Sequence, residues 1–212
     1  MAYNFPRILI RYNRFLDPIF IEYCKLQPKW KDWVPPAKEV VLKRVDAYEE
    51  SWKKEEEKIL QGLYDVSGLG FQRNIIDIHI VSGNPRQFSN PIVIKSGYEQ
   101  RDFVDTLTHE LIHVLLTDNR INKRYTVDPQ YQEEPLTVKN HILLHAFLKA
   151  IFLDILGDSS RLDANLKRSQ SHSTNEYSRA WDIVEKEGYK EIIARFRAAI
   201  DGLSPEERSS AS

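Results

Sequence analysis

Three ionisable side chains lie close together inside an apolar stretch of the chain. Residues 108 to 117 read THELIHVLLT, in which His109, Glu110 and His113 stand among leucine, isoleucine and valine. Two histidines four residues apart on a helix project from one face, about one turn from each other. Their neutral ring nitrogens can share one divalent ion, and the adjacent glutamate can take a proton from a water bound to that ion. The pattern therefore indicates a metal-dependent hydrolytic site, with zinc as the ion and Glu110 as the general base.

Composition alone does not explain this pattern. With 6 His and 31 Asp and Glu in 212 residues, about 0.02 matches to His-acid-x-x-His are expected per chain by chance. The match also falls in a predicted helix and follows a predicted strand. The alternative interpretation is a helix whose histidines form only local hydrogen bonds. The protein would then be a helical interaction protein whose functional surface is the predicted helix 37–64.

The segment from Ile75 to Leu156 resembles the zincin metallopeptidases. Members of that family carry H-E-x-x-H on a helix that follows an edge strand, and the edge strand binds the substrate in extended form. The metzincin subclass also requires a glycine and a third histidine at positions where this chain has Leu116 and Asn119. The gluzincin subclass instead takes a glutamate from the next helix, and the chain is similar to that arrangement.

The resemblance to gluzincins implies that the third metal ligand is an acid at the start of the following helix. Glu133 and Glu134 occupy this position in the sequence. Glu134 shares a predicted helical stripe with His141 and His145, and it is the preferred third ligand. Glu133 and His141 remain open as alternatives. Asp128, in an arrangement like that of the aspzincins, is a further alternative.

The resemblance implies a zinc-dependent peptidase in which His109, His113 and Glu134 hold Zn²⁺. Glu110 would take a proton from water and later deliver it to the leaving amine. The strand around Ile92 to Ile94 would pair with the backbone of a peptide or protein substrate in extended form. An alternative function is a non-hydrolytic metal-binding pseudoenzyme or a peptide-binding module.

The overall composition narrows the classes of partner. A formal net charge of -1, with 42% hydrophobic and 29% charged residues, does not supply the concentrated positive field that nucleic acids or anionic membranes attract. The apolar stretch AFLKAIFLDIL contains Lys149 and Asp154 and is too short to cross a bilayer. The start of the chain lacks the pattern of a secretory signal, and Cys24 is the only cysteine. These features predict a cytoplasmic protein without nucleic-acid or membrane partners.

The hydrophobic periodicity predicts the elements that must position the site. We expect an α+β fold, a mainly helical zincin-like domain with a small β-sheet, formed by residues 1–212 as a single domain. Its parts are an N-terminal helical part (1–70), a sheet and metal-site core (71–156), and a polar loop with C-terminal helices (157–212). The predicted elements are a strand and helix within 7–26, the helix 37–64, strands 75–81 and 91–96, a helix from about 101 to 117, a helix from Pro135 to Gly157, a polar loop 157–175, helices 175–187 and 189–200, and a disordered tail. The proline that opens strand 91–96 suggests an edge strand.

Overall fold

The computed structural model describes residues 5–85, 87–121, 129–170 and 175–201. Asp128 and the predicted disordered tail lie outside the described residues. The chain forms two compact units, which contain residues 1–57 with 73–114 and residues 58–72 with 115–212. Each unit takes its residues from two separate segments of the chain. The single domain with three consecutive parts stays a prediction.

The first unit contains a small sheet and several helices. Its elements are β1 (Arg7–Tyr12), α1 (Leu16–Lys25), a 3₁₀ turn (Pro28–Trp30), the first part of α2 (Lys38–Ser67), β2 (Ile75–Val81), β3 (Phe88–Ser89), β4 (Ile92–Lys95) and most of α3 (Gln100–Asp118). The strands are ordered β1-β2-β4-β3. β1 and β4 both pair with β2 in parallel, and β3 pairs with β4 in antiparallel. A mixed four-stranded sheet with several helices confirms the predicted α+β class.

The position of β4 within the sheet differs from the prediction. Strand 91–96 was expected at the sheet edge, but β4 lies between β2 and β3. The edge is formed by Phe88 and Ser89, which the sequence analysis assigned to no strand and which pair with Val93 and Ile92. Phe88 also packs edge-to-face against Phe20 of α1, with 5.7 Å between ring centroids. This tertiary contact, which no local pattern shows, anchors the short strand.

Helix α3 has the predicted bounds and the predicted buried stripe. Six apolar residues of this stripe are at most 2% exposed: Phe103, Val104, Leu107, Leu111, Val114 and Leu115. Ile112, Leu116 and the polar residues Asp105 and Thr108 are buried as well. A helix that is buried on most of its circumference is held by packing on several sides. This packing gives the H-E-x-x-H segment a rigid support.

The second unit is helical where the structure describes it. It contains the end of α2, α4 (Leu136–Ala150), a π-helical turn (Ile151–Ile155), α5 (Ser159–Gln170), α6 (Glu176–Glu187) and α7 (Tyr189–Asp201). α4 packs against α6 and α7. Pro135 precedes α4 and Gly157, with φ of 66°, follows the π-helical turn, so the predicted helix between these residues is confirmed. The two predicted C-terminal helices are confirmed as α6 and α7.

The predicted polar loop 157–175 is wrong over most of its length, because Ser159–Gln170 form α5. Asp158 caps this helix: its Oδ1 accepts hydrogen bonds from the backbone N–H of Ser160 at 3.1 Å and from the Ser160 hydroxyl at 2.7 Å. Leu162 is the only large apolar side chain in α5 that is buried. A sequence with so few apolar residues is easily taken for a loop. The N-cap residue Asp158 was the local signal for a helix, and the sequence analysis did not use it.

One helical segment among the described residues, Leu136–Ile155, is long and apolar enough to cross a membrane. An 18-residue window of this segment has a mean hydropathy of 1.3, and 67% of that window is buried inside the protein. Burial of this extent is typical of a core helix, whose apolar surface is covered by the protein itself. We therefore interpret Leu136–Ile155 as a core helix of the second unit.

Candidate metal centre

Helix α3 places the two histidines of the H-E-x-x-H segment side by side. The ring centroids of His109 and His113 are 4.9 Å apart, and the ring planes differ by 68°. Both side chains are half-buried. The four-residue spacing produces this proximity because successive helical turns bring residues i and i+4 together on one face. Two imidazoles so placed offer two of the nitrogen ligands that zinc prefers.

Glu110 has an environment that suits a general base. Its side chain is 6% exposed, and its Oε2 accepts a hydrogen bond of 2.5 Å from the Ser89 hydroxyl. Burial raises the pKa of Glu110 to about 7, and the hydrogen bond from Ser89 opposes that rise. A carboxyl group with a pKa near neutrality can both accept and release a proton at cellular pH. The sequence analysis proposed Glu110 as a site residue but did not consider Ser89, which lies in β3.

His141, on α4, is buried and has one ring nitrogen committed to the backbone. Its Nδ1 lies 2.7 Å from the carbonyl oxygen of Thr137. A carbonyl oxygen only accepts hydrogen bonds, so Nδ1 carries the hydrogen, and in the neutral ring Nε2 keeps its lone pair. Histidines that bind metals commonly donate their other ring N–H in this way. The ligand atoms of His109, His113 and His141 all lie within 4.8 Å of one another.

Glu134, the preferred third ligand in the sequence analysis, is engaged by an arginine. Arg179 of α6 donates from a terminal nitrogen to Oε1 at 2.7 Å and from Nε to Oε2 at 3.3 Å. This pairing lowers the pKa of Glu134. The group of three candidate ligands contains His141 and neither Glu134 nor Glu133. Glu133 is exposed.

Two aromatic side chains of α6 contact the two histidines of α4, His141 and His145. Tyr177 meets the His141 ring edge-to-face at 4.5 Å. Trp181 stacks on His145 with 4.2 Å between centroids and 10° between planes, and its indole N–H donates to the Ser169 hydroxyl at 3.2 Å. Tyr177 and Trp181 are four residues apart, so they share a helix face. This spacing was visible in the sequence, but it did not indicate which element the face would contact.

The chain was compared with known protein families, curated proteins and solved structures. No protein-family model, no curated protein and no solved structure matches the chain. The resemblance to zincins therefore stays a prediction from the sequence.

Proposed function

We propose that the protein is a zinc-dependent peptidase whose ion is held by His109, His113 and His141. One observation carries the proposal: three histidines offer ligand atoms within 4.8 Å of one another, and Glu110 directly follows the first of them in the chain. A general base next to a three-nitrogen ligand set is the combination that metal-assisted hydrolysis requires. We also propose a cytoplasmic location, supported by the single cysteine in the chain.

The donor set suits zinc. Three neutral imidazoles are a known protein ligand set for catalytic zinc. When bound, zinc supplies a Lewis acid that polarises the scissile carbonyl and lowers the pKa of water to about 7. The hydrogen bond from His141 Nδ1 to the Thr137 carbonyl at 2.7 Å orients that ring for coordination through Nε2.

The third ligand in this proposal is His141 instead of Glu134. Both oxygens of Glu134 accept hydrogen bonds from Arg179, and a charge-assisted pair of this kind competes with coordination to a metal. His141 was one of the alternatives that the sequence left open. It is supported by the proximity of its ligand atom to those of His109 and His113.

Glu110 is the group that moves the proton. In the proposed reaction it accepts the proton of the attacking water and then transfers it to the nitrogen of the leaving amine as the C–N bond breaks.

An extended peptide is the substrate class that the sheet supports. Among the described residues, β3 is the last strand in the order β1-β2-β4-β3, and extended peptides can bind to a sheet at its edge strand. Ser89 of β3 also contacts Glu110. A peptide that pairs with β3 would therefore run beside the base. This edge replaces the strand around Ile92 to Ile94 that the sequence analysis expected to bind substrate.

The test compares the wild-type protein with Glu110→Gln and with Glu99→Gln, an exposed acid that serves as the matched control. Zinc-loaded wild-type protein should cleave members of a peptide library, and a chelator should stop the cleavage. Glu110→Gln should bind one zinc per chain and lose at least about 100-fold in kcat, because general base catalysis contributes that much or more. Glu99→Gln should behave as wild type.

Two results would count against the peptidase. Full hydrolysis by Glu110→Gln removes the proposed base, and absence of stoichiometric zinc after reconstitution removes the metal centre. Stoichiometric zinc without any cleavage would favour the alternative function, a metal-binding module that does not hydrolyse peptides.

A further inference from the structure

A residue on the edge strand touches the proposed base. The Ser89 hydroxyl donates to Oε2 of Glu110, with 2.5 Å between the two oxygens. Hydrogen bonds to an ionised acceptor are shorter and stronger than those between neutral groups. Because the Glu110 side chain is 6% exposed, solvent competes little for this bond. Ser89 therefore holds one of the two oxygens of the base in place.

The framework of the first unit holds Ser89 itself. Ser89 pairs with Ile92, and Phe88 pairs with Val93 in the antiparallel ladder of β3 and β4. Ile92 and Val93 are each 2% exposed, so the partner strand belongs to the core. The Phe88 ring packs against Phe20 at 5.7 Å. The pairing with β4 and the packing of Phe88 hold this short strand in place. The Ser89 side chain is therefore restricted to a narrow range of positions.

We propose that Ser89 is a positioning residue that orients the carboxyl group of Glu110 for proton transfer. The inference rests on the proposed peptidase function. With Oε2 held by Ser89, Oε1 is the atom that takes the proton from the O–H bond of water and passes it to the leaving nitrogen. Fixing a catalytic group before reaction removes the entropy that would otherwise be lost in orienting it. Ser89 thus acts through Glu110 without itself reacting.

The experiment uses the zinc-loaded full chain and three variants: Ser89→Ala, Ser89→Thr and Ser51→Ala. Ser51, on α2, is the matched control, because its hydroxyl contacts Gln100 at 3.3 Å and does not touch the base. Removing the hydroxyl of Ser89 should lower kcat by about 10- to 100-fold, as the loss of groups that orient catalytic residues commonly does. KM and zinc stoichiometry should remain as in the wild type. Threonine keeps a hydroxyl and should restore most of the activity, and Ser51→Ala should keep full activity.

A second measurement does not depend on activity. In the zinc-free protein at pH 9, an infrared difference spectrum between each protein and its Glu110→Gln counterpart isolates the carboxylate stretch of Glu110. This band should shift in Ser89→Ala and should keep its wild-type frequency in Ser51→Ala. The shift reports the hydrogen bond directly, because a donor on one oxygen changes the bond order of that carboxylate.

The outcomes separate the two proposals. An active wild-type enzyme whose kcat is unchanged in Ser89→Ala, or whose Glu110 band does not move, overturns the role of Ser89 and leaves the peptidase standing. A zinc-loaded wild type that cleaves no peptide overturns the peptidase and, with it, the positioning role. Lower kcat together with a shifted band in Ser89→Ala, and recovery of both in Ser89→Thr, supports the inference.

Discussion

At the scale of single residues, the choice of the third ligand depends on which ring nitrogen or carboxylate oxygen already takes part in a hydrogen bond. His141 donates from Nδ1 to a backbone carbonyl, which orients the ring and makes Nε2 the nitrogen that keeps its lone pair in the neutral ring. Glu134 accepts from Arg179 with both oxygens, which opposes coordination to a metal. Residue type alone would favour neither, since zinc binds both imidazole and carboxylate. The hydrogen bonds of His141 and Glu134 distinguish the two candidates.

The first prediction compares the two candidate third ligands. His141→Gln should weaken zinc binding by more than about 100-fold, a larger effect than the 10- to 100-fold that follows from loss of an outer hydrogen bond to a ligand. Glu134→Gln should bind zinc within about twofold of the wild type, as should its control Glu133→Gln at the exposed neighbouring position. Competition with a chromophoric chelator measures the affinities, and circular dichroism checks that each variant is folded. Weaker binding in Glu134→Gln with unchanged binding in His141→Gln would identify Glu134 as the ligand.

At the scale of elements, close approach between helices in the second unit depends on a small residue. Gly62 lies inside α2, where glycine is ordinarily unfavourable because it loses more backbone entropy than alanine. A Cβ at this position would lie 2.9 Å from Ile155 Cγ1 and 3.0 Å from Ile151 Cδ1. These atoms belong to branched side chains of the π-helical turn after α4, which have little room to move. The glycine is therefore required by packing.

The second prediction reverses the usual sign of a helical glycine substitution. Gly→Ala in a helix interior normally stabilises by about 1 kcal/mol, but overpacking of a well-packed core costs about 1–3 kcal/mol. We expect Gly62→Ala to lower the free energy of unfolding by about 1 kcal/mol, as measured by urea denaturation. Gly97→Ala is the control, because no atom lies within 4 Å of its added Cβ, and it should not be less stable than wild type. A more stable Gly62→Ala would show that the isoleucines yield without cost.

At the scale of the whole molecule, the structure groups residues that are distant in the chain. One unit joins residues 1–57 to 73–114, and the other joins 58–72 to 115–212. An ion that binds the folded chain and not the unfolded chain stabilises the fold by mass action. The proposed zinc site belongs to the folded chain, so zinc should have this effect.

The third prediction concerns that linkage. Zinc at 100 times its dissociation constant should stabilise the wild type by about 2.7 kcal/mol. For a chain of this length, about 2–4 °C per kcal/mol is expected, so Tm should rise by roughly 5–10 °C in differential scanning calorimetry and return when a chelator is added. Glu110→Gln keeps all three ligands and should show the same rise, whereas His113→Gln should show almost none. An equal rise in His113→Gln would mean that zinc binds elsewhere.

The sequence alone determined the features that depend on local geometry. Helix α3, its buried stripe and the pairing of His109 with His113 follow from the apolar period and the four-residue spacing, which act within one helix. The strands β1, β2 and β4 and the helices α2, α4, α6 and α7 were predicted for the same reason. Helix α5 was not predicted because its sequence is mostly polar. Only one of its large apolar residues, Leu162, is buried.

Only the tertiary structure decided which distant side chains meet. It placed Ser89 against Glu110 and engaged Glu134 with Arg179. These contacts join residues that are 21 and 45 positions apart in the chain, and neither helical nor strand periodicity extends across such separations. Their formation depends on how whole elements pack, which is set by the summed burial of many side chains rather than by any local pattern.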